Sequence, residues 1–191
     1  VSYTDDQGTS ESVTSSATAA VVNVNDAPEG TVTISGTPTE DQKLTASHNI
    51  TDEDGTTNST FTYQWKRGGS AISGATDVSY TLVQDDVDAA MTITVSYTDD
   101  QGTSETVTSS ATAAVANVND APGGSVTISG TPTEDQKLTA SHTITDEDGM
   151  PNSVSYQWNR DGSVISGATD ISYTLVQDDV DAVMTVIVSY T

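Results

Sequence analysis

The chain has 191 residues, with 28 acidic against 5 basic side chains, a formal net charge of −23 and no cysteine. That balance repels nucleic acid and anionic membrane surfaces, and the absence of cysteine excludes disulfides and thiolate metal sites. No apolar run approaches the roughly 18 residues of a membrane span, so no direct membrane insertion is expected.

The order of the elements repeats. Val1-Ser2-Tyr3-Thr4-Asp5-Asp6-Gln7-Gly8 returns from Val95, 94 residues later, and Gly36-Thr37-Pro38-Thr39-Glu40-Asp41-Gln42-Lys43-Leu44 returns from Gly130 at the same shift. Trp65 returns at Trp158, one residue short, because the loop between has lost a residue. A period near 94 exceeds the roughly 20–50 residues of a solenoid unit and is the size of a small domain. The expected division is 1–26 as the last strand and linker of a preceding repeat, 27–120 as a complete repeat, and 121–191 as a second repeat lacking its last strand. Asn25 to Gly55 and Asn119 to Gly149 differ at only three positions. Near-identical copies fit a task that scales with copy number, such as length or avidity.

Within the complete repeat the runs follow in order. Val32 and Ile34 alternate with polar residues up to Gly36-Thr37-Pro38. Leu44, Ala46, His48 and Ile50 follow, then Phe61, Tyr63 and Trp65 before the turn at Gly68-Gly69. Val78, Tyr80 and Leu82 form the next run, and Met91, Ile93, Val95 and Tyr97 the one after. The last run is expected to carry Val107, Ser109, Ala111, Ala113 and Val115 on one face. The period is two throughout, which predicts half-buried strands. About seven strands in such a repeat predict an all-β fold of tandem two-sheet β-sandwich domains, and the order of Trp65, Tyr80-Thr81-Leu82, an Asp-rich turn and a strand ending in Tyr97 resembles that of immunoglobulin-like (cadherin-like) sandwiches. Trp65 and Trp158 are then core residues, and His48 and His142 are satisfied core or rim histidines.

The acids gather between the strands. One set, at the end where the chain leaves a sandwich, is Glu40, Asp41, Asp85, Asp86 and Asp88. Its counterparts in the second repeat are Glu134, Asp135, Asp178, Asp179 and Asp181. The other set, at the end where the chain comes in, is Asp52, Asp54, Asp99 and Asp100, with Asp146 and Asp148 in the second repeat. The linkers add Asn25 and Asp26, then Asn117, Asn119 and Asp120. Head-to-tail stacking of repeats would bring the two sets together across each linker. Converging carboxylates need counter-ions, and hard oxygen ligands in this number suit Ca²⁺, which takes six to eight oxygens, better than Mg²⁺. An EF-hand does not fit, because the loop after Gly55 lacks the spaced ligands and terminal Glu.

Asn117-Val118-Asn119-Asp120-Ala121-Pro122 with Asp146-Glu147-Asp148-Gly149 resembles the interdomain calcium motifs of cadherins. The whole repeat resembles the immunoglobulin-like and cadherin-like repeats of giant bacterial RTX adhesins. The residues carrying that likeness are Tyr63-Gln64-Trp65, Ile72-Ser73-Gly74-Ala75-Thr76, Tyr80-Thr81-Leu82, Val95-Ser96-Tyr97-Thr98-Asp99 and Asn119-Asp120-Ala121-Pro122. The resemblance implies a junctional ligand set of Glu40 or Asp41, one of Asp85, Asp86 and Asp88, the linker pair Asn119 and Asp120, and Asp146 with Asp148. At the preceding junction it implies Asp99 or Asp100 with Asn25, Asp26, Asp52 and Asp54. It further implies an extender region at the bacterial cell surface, outside the cell, stiffened by calcium and holding a distal binding region away from the cell.

Two other classes compete. A polysaccharide- or protein-binding adhesive module would need an exposed aromatic platform, and the one Phe, two Trp and seven Tyr fall mostly on inward phases. An enzyme is not expected, because general acid–base work needs a pocket and a shifted pKa as well as carboxylate pairs. The chain ends suggest one more partner. Residues 1–4 repeat 188–191, so Ser10–Val24 of one copy is expected to complete the last sandwich of a neighbouring copy, by strand donation or within a longer array.

Overall fold

The computed structural model describes residues 1–151 and 153–190. Its regular elements are β1 (Ser2–Thr4), β2 (Ser10–Ser12), β3 (Val32–Ser35), β4 (Lys43–His48), β5 (Thr62–Arg67), β6 (Ser70–Ala71), β7 (Ser79–Thr81), β8 (Met91–Thr98) and β9 (Ser104–Thr108), then β10 (Val126–Ser129), β11 (Lys137–His142), β12 (Ser155–Arg160), β13 (Ser163–Val164), β14 (Ser172–Thr174) and β15 (Met184–Ser189). Two short 3-10 turns, Gln84–Asp86 and Gln177–Asp179, precede β8 and β15. The protein is all-β. Among the described residues, no helix is long and apolar enough to cross a membrane.

The first repeat pairs its strands antiparallel in two sheets, β3-β4-β7 and β6-β5-β8-β9. Alternation explains the layering. Leu44 and Ala46 on one sheet, and Trp65, Met91, Ile93 and Val95 on the other, point inward and are buried, while Thr92, Thr94 and Ser96 between them face outward. Trp65 is fully buried and its indole N–H donates to the Asp77 carbonyl at 3.0 Å. The second repeat has the same plan, with β10-β11-β14 and β13-β12-β15 around Leu138, Ala140, Trp158 and Leu175. The hairpin β1–β2 pairs Tyr3 with Glu11, just as β8–β9 pairs Tyr97 with Glu105.

The structure differs from the sequence expectation in the last run. Ordered strand pairing stops at Thr108, and Ala111 and Ala113 are exposed while Thr112 turns inward. The cause is a local hydrogen-bond exchange. Thr112 accepts the Met91 N–H on its hydroxyl at 3.0 Å and returns its own N–H to the Met91 carbonyl at 2.9 Å, which breaks the period of two. Beyond it the chain crosses over, so that Val115 lies parallel to Val87 and Ala116 parallel to Thr39. The histidines differ too. His48 packs against Phe61 at 4.3 Å between ring centroids with the rings tilted by 43°, but the Nδ1 atoms of His48 and His142 are buried without a hydrogen-bond partner. The aromatic packing, not a hydrogen bond, seats the His48 ring.

Candidate metal centre

At one end of the first repeat the 52–55 loop meets the β8–β9 hairpin. Asp52 Oδ1 accepts the Asp54 N–H at 2.9 Å, which folds the loop back on itself. Gly55 follows at φ +94°, and a Cβ there would sit 2.5 Å from Asp100 Oδ2, so only glycine fits. Asp99 closes the hairpin turn by accepting the N–H groups of Gln101 and Thr103 on Oδ1 at 2.9 and 2.8 Å. Its other oxygen, Oδ2, is buried and has no partner. The residue is only 5% exposed. Carboxylate oxygens of Asp52, Asp54 and Asp99 lie within 4.8 Å of one another. At that separation each pair of unit charges repels by about 3.5 kcal/mol at an effective dielectric of about 20. Tyr97 lies beside them and donates its hydroxyl to Asp52 Oδ2 at 2.6 Å. Burial first, and the Asp52 carboxylate second, push its phenol well above the ordinary tyrosine range. The linker arrives here as well, since Asp26 gives its N–H to Asp54 Oδ2 at 2.8 Å and Asn25 donates to Glu105 at 2.9 Å.

The same motif recurs at the second linker. Asp148 Oδ2 accepts the Asp120 N–H, and its Oδ1 accepts the Asn117 side-chain amide, each at 2.7 Å. Asp146 orders the loop through the Asp148 N–H and takes the Tyr190 hydroxyl on its other oxygen. That bond leads the causes that raise the Tyr190 phenol to about 12. Glu40 reaches in from the first repeat. It is buried at 3% exposure, accepts the Val118 N–H at 3.2 Å, and lies beside the Gln84 amide. Oxygens of Glu40, Asp120 and Asp148 come within 4.8 Å of one another.

The remaining expected ligands have other placements. Asp41, Asp88, Asp135 and Asp181 sit at φ of +62 to +64°, the left-handed turn conformation that aspartate tolerates. Asp86 is fully buried, bound by Arg67 Nε at 2.7 Å and by the Val83 N–H at 2.9 Å. Asp179 repeats this with Arg160 and Val176. These two carboxylates are engaged within their own repeats and do not enter either cluster. Asp85 lies 3.6 Å from Arg67 with its side chain 82% exposed, and Glu134 and Asp178 are exposed. Asp100 accepts the N–H groups of Thr57 and Asn58 and so clamps the 55–58 loop to the hairpin. Asn119 turns its amide onto the Asp120 carbonyl, as Asn25 does onto Asp26.

The sequence reading gave no site role to Tyr97, Tyr190, Gln84 or Glu105. The signal for the tyrosines was present: in Tyr97-Thr98-Asp99 both outer residues share the inward phase of β8, so phenol and carboxylate must emerge on one side. The chain matches no protein-family model and no curated protein.

Proposed function

We propose that the chain is a calcium-stiffened spacer made of tandem sandwich repeats, working outside a bacterial cell as the extender of a large surface adhesin. The observation that carries this reading is the Asp52, Asp54 and Asp99 cluster, with one buried Asp99 oxygen left without a partner. A buried unpaired carboxylate oxygen is costly, and two further carboxylates beside it make an uncharged partner insufficient. A hard dication answers both problems, and Ca²⁺ tolerates the irregular, carboxylate-rich coordination that Mg²⁺ disfavours. Asp52, Asp54 and Asp99 would hold one ion, and Glu40, Asp120 and Asp148 a second. The bound ion supplies charge neutralisation. The linker backbone, already tied to Asp54 and Asp148, would then be fixed against the loops, stiffening one repeat against the next.

Extracellular calcium modules bind at roughly 10⁻⁴–10⁻³ M, which keeps such sites vacant in the cytosol and filled outside. Calcium titration against an EDTA control tests the reading through melting temperature and small-angle scattering. Both melting temperature and maximum dimension are expected to rise over that range. If neither changes, the spacer reading is wrong.

A further inference from the structure

The inward row of β8 runs Met91, Ile93, Val95, Tyr97, and all four are buried. β8 is held on both sides, with Val95 opposite Tyr63 on β5 and Tyr97 opposite Glu105 on β9. The Tyr97 ring packs on Phe61 at 5.1 Å between centroids, and Phe61 packs on His48 behind it. A close-packed interior leaves such a ring one place to sit. The phenol hydroxyl at its tip is therefore fixed by the sheet.

The three acids of the cluster are held by different means. Asp99 is set by the hairpin N–H groups of Gln101 and Thr103. Asp54 is buried and takes the Asp26 N–H. Asp52 is half-buried on a loop, and its Oδ1 bond to the Asp54 N–H lies within that loop. Among the described residues, the bond that ties its carboxylate to the sheet comes from the Tyr97 hydroxyl to Oδ2, at 2.6 Å. Without that bond, repulsion from Asp54 and Asp99 would turn the Asp52 side chain toward water. A buried phenol needs an acceptor of some kind, but a nearby carbonyl would meet that need. Here the acceptor is an acid beside two others. The second repeat makes the same choice, with Tyr190 donating to Asp146 while Asp146 Oδ1 takes the Asp148 N–H.

We propose that Tyr97 is a positioning residue of the calcium site, holding the Asp52 carboxylate toward Asp54 and Asp99 so that the three acids converge before the ion arrives. The proposal rests on the calcium reading of this cluster, which the buried, unpartnered Asp99 Oδ2 supports. A carboxylate oxygen has two lone pairs, so Oδ2 can accept the hydroxyl and still face an ion. An acid already in place loses little freedom when the ion binds, and outer partners of this kind typically contribute about 10–100-fold to metal affinity.

The test uses the whole chain, freed of metal with EDTA and titrated with calcium chloride at constant ionic strength. The amide NMR signals of Gly55, Gln101 and Thr103 report this cluster separately from the one at the second linker. Tyr97→Phe keeps the ring and removes the donor. It is expected to raise the calcium Kd read at these signals about 10–100-fold, with a melting temperature in EDTA close to the wild type. In an Asp52→Ala background the same substitution is expected to add little, because the group it positions is gone. Equal Kd values for wild type and Tyr97→Phe overturn the proposal and leave the calcium reading standing. So does a drop in the EDTA melting temperature with Kd unchanged, the mark of a hydroxyl that only supports the fold. A full loss repeated in the Asp52→Ala background overturns it too. Wild-type signals that do not respond to calcium overturn the calcium reading itself, and the proposal with it.

Discussion

Asp99 and Asp100 are neighbours with different surroundings. Asp99 continues the inward phase of Met91, Ile93, Val95 and Tyr97 and is buried with them, whereas Asp100 falls on the outward phase and clamps a loop. Asp99→Asn removes one charge from the cluster while keeping the Oδ1 acceptor that closes the hairpin. In EDTA its melting temperature is expected to equal or exceed the wild type, and most of the calcium-induced rise should vanish. Asp86→Asn should behave oppositely, losing stability by about 2–3 kcal/mol with the calcium response intact. That is below the roughly 3–5 kcal/mol of a fully enclosed pair, because the Arg67 side chain is 30% exposed. Urea melts of the two variants, with and without calcium, separate the roles. Protons should act through Asp179. Burial alone would raise its carboxyl, but the Val176 N–H and the Arg160 guanidinium outweigh that and hold it below the usual carboxylate range. A lowered folded pKa means the contribution is complete above the unfolded value of about 3.9 and is lost as pH falls through the folded one. Urea midpoints measured from pH 5 downward should therefore fall less steeply in Asp179→Asn than in the wild type.

The strands were legible because inward and outward residues alternate within the longer strands, most cleanly in β4 and β8. The final run was not, because the Ala-Thr-Ala-Ala stretch from Ala111 carries no large side chain to declare a face. The Thr112 hydroxyl then settled the phase through a bond to Met91 that alternation cannot reveal. The acid clusters were legible as loops but not as individual ligands. Doubled aspartates look alike in sequence, yet Asp41 and Asp88 serve left-handed turns and Asp86 serves an arginine 19 residues away. The crossing segment also makes its own prediction. Val115 is the one large side chain in it that reaches the core, and it belongs to a stretch tied to Ala89, Pro38 and Glu40. Val115→Ala should cost about 2 kcal/mol from lost burial and residual cavity. Loosening residues 113–118 should also weaken the approach of Val118 to Glu40. Hydrogen exchange is expected to show faster exchange at Glu40, Val115 and Val118, with β4 and β5 unchanged. Uniform acceleration across the repeat would mean that the segment is not a separable element.

For the whole molecule the question is whether −23 charges act as a diffuse surface or through a few close groups. The two cases respond differently to salt. Charges spread over a surface sit many ångströms apart, and raising NaCl from about 0.01 M to 0.15 M shortens the screening length from about 30 Å to about 8 Å, which removes most of their mutual repulsion. Carboxylates within 4.8 Å of one another lie inside the shorter length as well, and the burial of Asp54 and Asp99 keeps mobile ions out. Their repulsion should survive 0.15 M NaCl almost intact and yield only to an ion held between them. In EDTA, added NaCl is thus expected to raise the melting temperature and then level off near 0.15 M. Millimolar calcium at that plateau should add a further rise, and magnesium at the same concentration a smaller one, because it gives up its water less readily. Should NaCl alone reach the calcium value, the acids are a solvated surface and the clusters hold nothing. A rise specific to calcium above the salt plateau would place the controlling charge in the six side chains at the two linkers, in agreement with the loss expected of Asp99→Asn.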